Sequence, residues 1–317
     1  MTAAASPRNA GIQTRYEAPS RRPAPLHERH LSPSNRVRTR RALVGLGVLC
    51  VAAVAAAQDF PRYGDEVYQP RLRQPGKDVI WLPTPDAMVT RMLEAAKTTD
   101  RDVVYDLGAG EGRIPIAAAR AFGARAVGIE YDAALAALAK RNALRAGVAD
   151  RVTIIEGDLF KEDFSQATVV TLYLLPDLNY QLRPTLLKME PGTRVVSYLW
   201  DMGEWEPDEA FTVEKNEAFL WRVPASVAGR WLLREERGEW QGEVALTQQF
   251  QRVGGTLTLA GRVQPLLGAY VNGATLGFTF IDRDGAVRSL RAQVDGDRLA
   301  GQLRFAGNVA PVIGRRQ

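Results

Sequence analysis

The chain is nearly without the side chains on which much protein chemistry relies. One cysteine, Cys50, and two histidines, His27 and His30, all fall before residue 58. From Gln58 onward there is thus no Cys nucleophile, no Ser-His-Asp triad, no thiolate or imidazole metal site and no disulfide. A long apolar run is also missing: the uncharged stretch Ala42 to Ala57 is 16 residues, short of the roughly 20 that span a bilayer. Basic excess is confined to the start. Residues 1–41 contain nine Arg and two Glu, and the rest of the chain carries 32 basic against 34 acidic residues, about −2. The basic pI therefore belongs to the leader, and no nucleic-acid partner is expected.

That leader has a basic n-region, a short apolar core and the ending Ala55-Ala-Ala57 before Gln58, which describes a signal peptide. Arg40-Arg41 ahead of Ala42-Leu43-Val44 also fits a twin-arginine signal; an Arg-rich organellar presequence is the alternative. The expected location is exported, periplasmic or membrane-associated through residues 1–57, with cytoplasmic or organellar as alternatives.

What the chain does have is Asp106-Leu-Gly-Ala-Gly-Glu-Gly-Arg113 after the apolar run Val103-Val104-Tyr105. Gly108, Gly110 and Gly112 allow a sharp turn between a buried strand and a helix and a close approach of backbone to ligand. A dinucleotide fingerprint needs its third glycine at the sixth place of the turn, where Arg113 stands. The Gly-Lys-Ser/Thr ending of an ATP or GTP loop is absent too. The remaining pattern, a GxGxG turn with an acid two residues before it, suits a ligand carrying a cation and no phosphate. A second strand, Ala124 to Ile129, ends in Glu130, placed to accept ribose hydroxyls. A third, Val152 to Ile155, leads into Gly157-Asp158-Leu159-Phe160. Asp106, Glu130 and Asp158 then meet in one crevice at the carboxyl ends of the strands.

These residues resemble the class I S-adenosylmethionine-dependent methyltransferases, over roughly Val79 to Val223. The resemblance implies S-adenosyl-L-methionine as cofactor, with the Asp106 turn holding its methionine part, Glu130 the ribose and Asp158 the adenine amine. Thr84, Asp106, Gly108, Gly110, Gly112, Glu130, Tyr131, Asp158 and Leu159 are the implied cofactor-binding set. Trp81-Leu-Pro-Thr-Pro85, Gly110-Glu-Gly-Arg-Ile114, Val169 to Pro176 and Pro191 to Val196 are similar to protein-lysine methyltransferases of the ATP synthase c-subunit type, and more distantly to non-SET histone lysine methyltransferases. Ala109 and Glu111 depart from the Ser and Asp usual there, and an extra C-terminal region follows. A protein substrate with a lysine-like acceptor is the implication.

Methyl displacement from a sulfonium needs alignment and desolvation more than a protein nucleophile. A lysine acceptor, with an ordinary pKa of about 10.4, must also be held neutral by burial or by a nearby acceptor. Tyr173, Asp177 and Asn179, after the fourth strand, are the candidate catalytic residues at the mouth; helix capping by Asp177 and core packing by Tyr173 are the alternative roles. A cofactor made in the cytoplasm conflicts with an exporting leader. Two other functions therefore stay open: a non-catalytic exported binding module that keeps the fold, and a small-molecule or lipid methyltransferase.

The organisation expected is residues 1–57 as leader, 58–224 as the cofactor-binding domain and 225–317 as an antiparallel β domain. Residues 58–78 form a Pro/Arg/Gln-rich approach and Pro85 to Lys97 a helix. Strands at 102–106, 124–129, 152–156, 168–174 and 193–199 alternate with helices near 113–122, 132–146 and 178–188. That alternation predicts a doubly wound, mostly parallel α/β sheet of seven strands, completed by an antiparallel pair at Thr212–Asn216 and Phe219–Val223. Beyond Pro224 a period-2 rhythm through Val244, Leu246, Leu276, Phe278, Phe280, Leu290, Val294, Leu299 and Leu303 predicts a small antiparallel barrel or sandwich. Its turns are expected at Gly254-Gly255, Asn272-Gly273, Asp284-Gly285 and Asp295-Gly296. No metal site is expected, and the oligomeric state is not readable.

Overall fold

The computed structural model describes residues 63–238 and 240–317, so the leader and its signal-like features lie outside the described residues. No described helix is long and apolar enough to cross a membrane.

Helix α1 (Asp86–Ala95) precedes an alternation of β1 (Val103–Leu107), α2 (Arg113–Phe122), β2 (Arg125–Glu130), α3 (Ala133–Arg145), β3 (Val152–Glu156), β4 (Val169–Leu172), α4 (Pro176–Leu186) and β5 (Arg194–Tyr198), followed by the hairpin β6 (Glu209–Val213) and β7 (Asn216–Arg222). The sheet order is β3-β2-β1-β4-β5-β7-β6, parallel from β3 to β5 and antiparallel at β7 and β6. Strands buried on both faces read as continuous apolar runs, as Val169-Val-Thr-Leu172 does with every residue buried. One face packs Met88, Met92 and Leu93 of α1 and Ile114, Ala118 and Ala139 of α2 and α3 against Val104, Val169 and Val196. The other packs Leu182 and Leu186 of α4 with Leu107, Leu172, Trp205 and Trp221. The order reverses between β1 and β4, which makes the carboxyl end of β1 the switch point where open α/β sheets bind ligands.

The ends of the five parallel strands fall within two residues of the expectations, and two differences elsewhere have a local cause. Helix α4 starts at Pro176, two residues before the predicted position, because a proline at the first helical place needs no hydrogen-bond partner for its nitrogen and has its φ already set. The hairpin turns at Glu214-Lys215, inside the predicted strand 212–216, with Glu214 at φ 57°.

The C-terminal region is a barrel, not a sandwich. Its strands are β8 (Gly229–Glu235), β9 (Gln241–Gln249), β10 (Arg252–Leu259), β11 (Arg262–Pro265), β12 (Leu267–Asn272), β13 (Thr275–Ile281), β14 (Val287–Asp295), β15 (Arg298–Phe305) and β16 (Asn308–Arg316). They run in the order β10-β12-β13-β14-β15-β16-β8-β9, and β9 pairs back onto β10 to close eight strands; β11 adds a short pairing to β10. The period-2 residues fill the interior, with Trp231, Phe280 and Leu303 fully buried. Gly254-Gly255 is not a turn. It lies inside β10, where a Cβ on Gly255 would stand 2.1 Å from the carbonyl oxygen of Ala245; the turn falls at Phe250-Gln251. Phe250 leaves the barrel and stacks on Trp205, their ring centres 6.3 Å apart. Trp205 and Met202 are fully buried, while Trp200 stays exposed.

Candidate functional site

The glycine turn and two strand ends build a crevice at the switch point. Gly108, Gly110 and Gly112 all take positive φ, at 90°, 54° and 84°, in the left-handed region that glycine tolerates without strain. A Cβ on Gly110 would come within 2.8 Å of Trp81 Nε1. Gly128 of β2, not singled out in the sequence, lets the turn pass over it, since a Cβ there would be 2.7 Å from Ala109 Cβ. The Glu130 carboxylate accepts from the amide of Gly110 at 2.7 Å and from that of Asp132 at 2.9 Å. It therefore ties the end of β2 to the turn. Asp132 caps α3 by accepting from the amides of Ala134 and Leu135.

Asp106 is buried beneath the turn and accepts from Thr171 Oγ1 at 2.7 Å. Burial pushes its carboxyl up to about 8, the Thr171 hydrogen bond opposes that rise, and the charges of Glu111 and Glu130 add to it. Glu130 is also raised by burial, against the amides of Asp132 and Gly110. The buried Glu111 beside them is paired with Arg113 Nε at 2.9 Å, whereas among the described residues neither Asp106 nor Glu130 has a Lys or Arg within 4 Å to favour its charged form. A ligand cation placed there would favour their ionised forms. Asp158 differs: the hydrogen bond from Lys77 holds it below the usual carboxylate range.

A cavity of about 90 Å³ opens here, lined among others by Gly108, Glu130, Tyr131, Asp158, Leu159 and Tyr173. These six sequence candidates are brought together. Asp106, Gly110, Gly112 and Thr84 sit outside its lining, Asp106 beneath the turn and the two glycines within it. Asp177 is exposed in the first turn of α4, and its side chain caps no amide. Asn179 is buried and donates to Ser197 Oγ, at 3.1 Å, and to the carbonyls of Trp200 and Asp201, both at 3.2 Å; it braces the loop after β5. Tyr173 is half-buried with its ring 4.5 Å from that of Tyr198, and burial raises both hydroxyls.

Besides Gly128, the residues missed in the sequence belong to the segment 74–80, which leads into Trp81. It folds back through Trp81 N to Gln74 O and Gly76 N to Val79 O and lies over the crevice. Lys77 Nζ is 3.0 Å from Asp158 Oδ2 and 5.1 Å from the centre of the Tyr131 ring. This flap is why the cavity falls well below the roughly 300 Å³ at which small-molecule pockets begin.

Residues 106–209 match the family model described as the ANTKMT methyltransferase domain. Over 138 residues the chain is 46% identical to a protein-lysine N-methyltransferase of Saccharolobus islandicus, covering 43% of this chain and 86% of that protein. The chain belongs to the protein-lysine N-methyltransferase family. It is accordingly an S-adenosylmethionine-dependent methyltransferase. A lysine N-methyltransferase of the ATP synthase c-subunit, from Xenopus laevis, is 30% identical over 57% of this chain and 76% of its own length. Among solved structures, an RNA methyltransferase of Salinibacter ruber in complex with S-adenosyl-L-homocysteine is 52% identical, covering 46% of this chain and 96% of that one, with a TM-score of 0.45.

The methyltransferase's residues fit the methyl donor. Its ammonium and sulfonium are the cations that a cluster of raised, buried carboxyls calls for, and the glycine turn gives the close backbone approach that a bulkier residue would block.

Proposed function

We propose that the enzyme methylates a lysine side chain of a protein, using Asp106, Glu130 and Asp158 with the turn Gly108 to Gly112 to hold S-adenosylmethionine. When bound, the donor supplies a methyl carbon on a sulfonium. Asp106 and the turn would bind its amino-acid end, Glu130 and Tyr131 the ribose side, and Asp158 with Leu159 the adenine, with Thr84 supporting the turn from α1's approach. For this the flap must lift, because Lys77 now takes the Asp158 carboxylate that the adenine side would use.

The observation that carries the acceptor is the mouth. Ile80 of the flap and Leu82 just after it are exposed beside the crevice walled by Tyr173, Leu174 and Leu178, and Phe160, Leu175, Tyr180 and Trp200, also exposed, stand on segments following the carboxyl ends of the parallel strands. With the flap lifted, the apolar wall of Tyr173, Leu174 and Leu178 would flank an acceptor side chain reaching the donor, while the exposed apolar residues take the surface around it. Low polarity favours the neutral amine. The neutral Tyr173 hydroxyl, its ionisation suppressed by burial, can accept from an amine N–H and orient the lone pair toward the reacting carbon. Asp177, at the exposed start of α4, is placed to attract the incoming ammonium. Asn179 acts one step away, through the loop that carries Trp200. The relatives' names, which specify lysine in a protein, support the same acceptor.

The test is transfer from methyl-labelled S-adenosylmethionine to a detergent-solubilised membrane-protein fraction and to polylysine, with hydrolysis and identification of the labelled amino acid. Methyl-lysine, lowered at least about tenfold by Tyr173→Phe, is expected. Label confined to lipid or small molecules would support the competing methyltransferase reading instead. Residues 1–57 are proposed to bring the enzyme to a membrane, which fractionation of cells expressing the chain with and without them would test.

A further inference from the structure

The outer face of the barrel over β14, β15, β16 and β8 is an arginine surface. Side chains alternate between interior and exterior along each strand, and the exterior positions of these four strands hold Arg230, Arg234, Arg291, Arg298, Arg304 and Arg315 against one carboxylate, Asp295. Among the described residues only Arg230 of these six has a carboxylate within 4 Å, Glu243 at 3.5 Å. Arg298 and Arg315 are direct register partners across β15 and β16. Like charges placed opposite each other on one face weaken a sheet. Asp295 faces Arg298 across β14 and offsets that one arginine, but Arg315 has Leu232 of β8 as its other neighbour, and folding alone gives no reason for it. An anionic partner does.

Three of the arginines, Arg234, Arg298 and Arg315, line with Asp295 a single concavity of about 610 Å³ floored by Leu232, Ala300 and Ile313. Leu232 and Ile313 stand directly beside Arg315 and Arg234 in the register of β8 and β16, while the exposed Val309 flanks Arg304 at the far end of the same face. Guanidinium groups match phosphate oxygens in a two-pronged geometry that lysine lacks, and aliphatic side chains between them suit the boundary between headgroups and acyl chains. A single-stranded nucleic acid calls for aromatic stacking platforms among the basic groups. None of the exterior residues on these four strands is aromatic. The excess is also local, since the chain from Gln58 onward carries about −2.

We propose that this face docks the protein on a bilayer containing anionic phospholipids, with the arginines on headgroup phosphates and Leu232 and Ile313 between them. The docking does not depend on the methyl-transfer reading.

The experiment uses the full chain, so that any contribution of residues 1–57 is common to every protein compared. Partition onto vesicles of phosphatidylcholine, alone or with about 30% phosphatidylglycerol, is measured for the wild type and for R234Q/R298Q/R315Q. A third protein, R101Q/R120Q/R125Q, loses the same charge from exposed positions of the parallel-sheet part. The wild type and this control should bind the anionic vesicles and not the neutral ones. The barrel variant should bind about a hundredfold more weakly, and the single changes R298Q and R315Q about fivefold each, following the contribution of one arginine near an anionic surface. Matching melting temperatures would show that the fold is intact. Equal partition of the barrel variant and the control overturns the proposal. So does selective loss, in the barrel variant, of binding to polyuridylate or polyglutamate without loss on vesicles.

Discussion

The ammonium of Lys77 lies 3.0 Å from the Asp158 carboxylate and over the ring of Tyr131, so one side chain of the flap engages two residues of the candidate cofactor crevice. The three are far apart in sequence. Their meeting turns the approach to α1 into a cover for the site, and it makes cofactor binding a competition for Asp158.

Lys77→Ala should therefore speed cofactor association. An exposed ion pair is worth little, so the gain in association rate is expected to reach about fivefold at low salt and to shrink as salt rises. Stopped-flow quenching of Trp81 fluorescence would follow it. An unchanged rate would mean that Lys77 does not hold the flap down.

Asp106 should trade stability for binding. In the unfolded chain its carboxyl ionises near 3.8, and in the fold near 8. Between those values the folded state holds a proton that the unfolded state has released, so stability falls as pH rises through the window. Asp106→Asn removes that loss. Thermal melts at pH 8 should show the variant a few degrees more stable than wild type, ~2–4 °C for each kcal/mol regained, while its cofactor affinity falls at least about tenfold. In the wild type, affinity should rise with pH up to about 8, with proton release on binding detectable in buffers of different ionisation enthalpy.

Gly110→Ala puts a Cβ on a residue at φ 54°, 2.8 Å from Trp81 Nε1. Strain of about 1–3 kcal/mol is expected, together with displacement of Trp81 and the flap. Urea unfolding measures the first and Trp81 fluorescence the second. Gly147→Ala, also at positive φ but with nothing within 4 Å of a new Cβ, should show a smaller loss and no effect on the flap.

Asp65 anchors the approach to the body of the enzyme. Its buried carboxylate takes Arg141 Nε at 2.6 Å and Arg145 Nη1 at 2.9 Å and accepts from the amides of Val67 and Tyr68. The Arg141 contact holds it well below the usual carboxylate range. Its contribution is complete above the ordinary carboxylate pKa of about 3.9 and is lost as pH falls through its folded value. Asp65→Asn should lower the melting temperature at pH 7 by at least about 3 °C, with less effect at pH 3.

The parallel half was legible because its signals are local. The glycine turn follows its strand directly, and Asp106, Glu130 and Asp158 each sit at or just after the end of an apolar run. Contacts distant in sequence left no such trace. Lys77 stands in a segment without periodicity and finds its carboxylate 81 residues later. Asn179 read as a mouth residue because nothing in its neighbourhood announces the carbonyls of Trp200 and Asp201. In the barrel the alternation was plain and the punctuation was not. Glycine marks both turns and close backbone approaches, so Gly254-Gly255 read as a turn. The turns at Ala260-Gly261 and Ala306-Gly307 passed unnoticed because each begins with an alanine held at positive φ.

The most direct test of the central claim is calorimetric titration of S-adenosylmethionine and S-adenosylhomocysteine into the wild type, Glu130→Gln and Asp158→Asn. The account predicts micromolar binding of both ligands to the wild type and a loss of roughly 1.5–3 kcal/mol in each variant, as expected when a charged hydrogen bond to the ligand is removed. A folded, ligand-free wild type that binds neither, or variants that bind as tightly as the wild type, would contradict it.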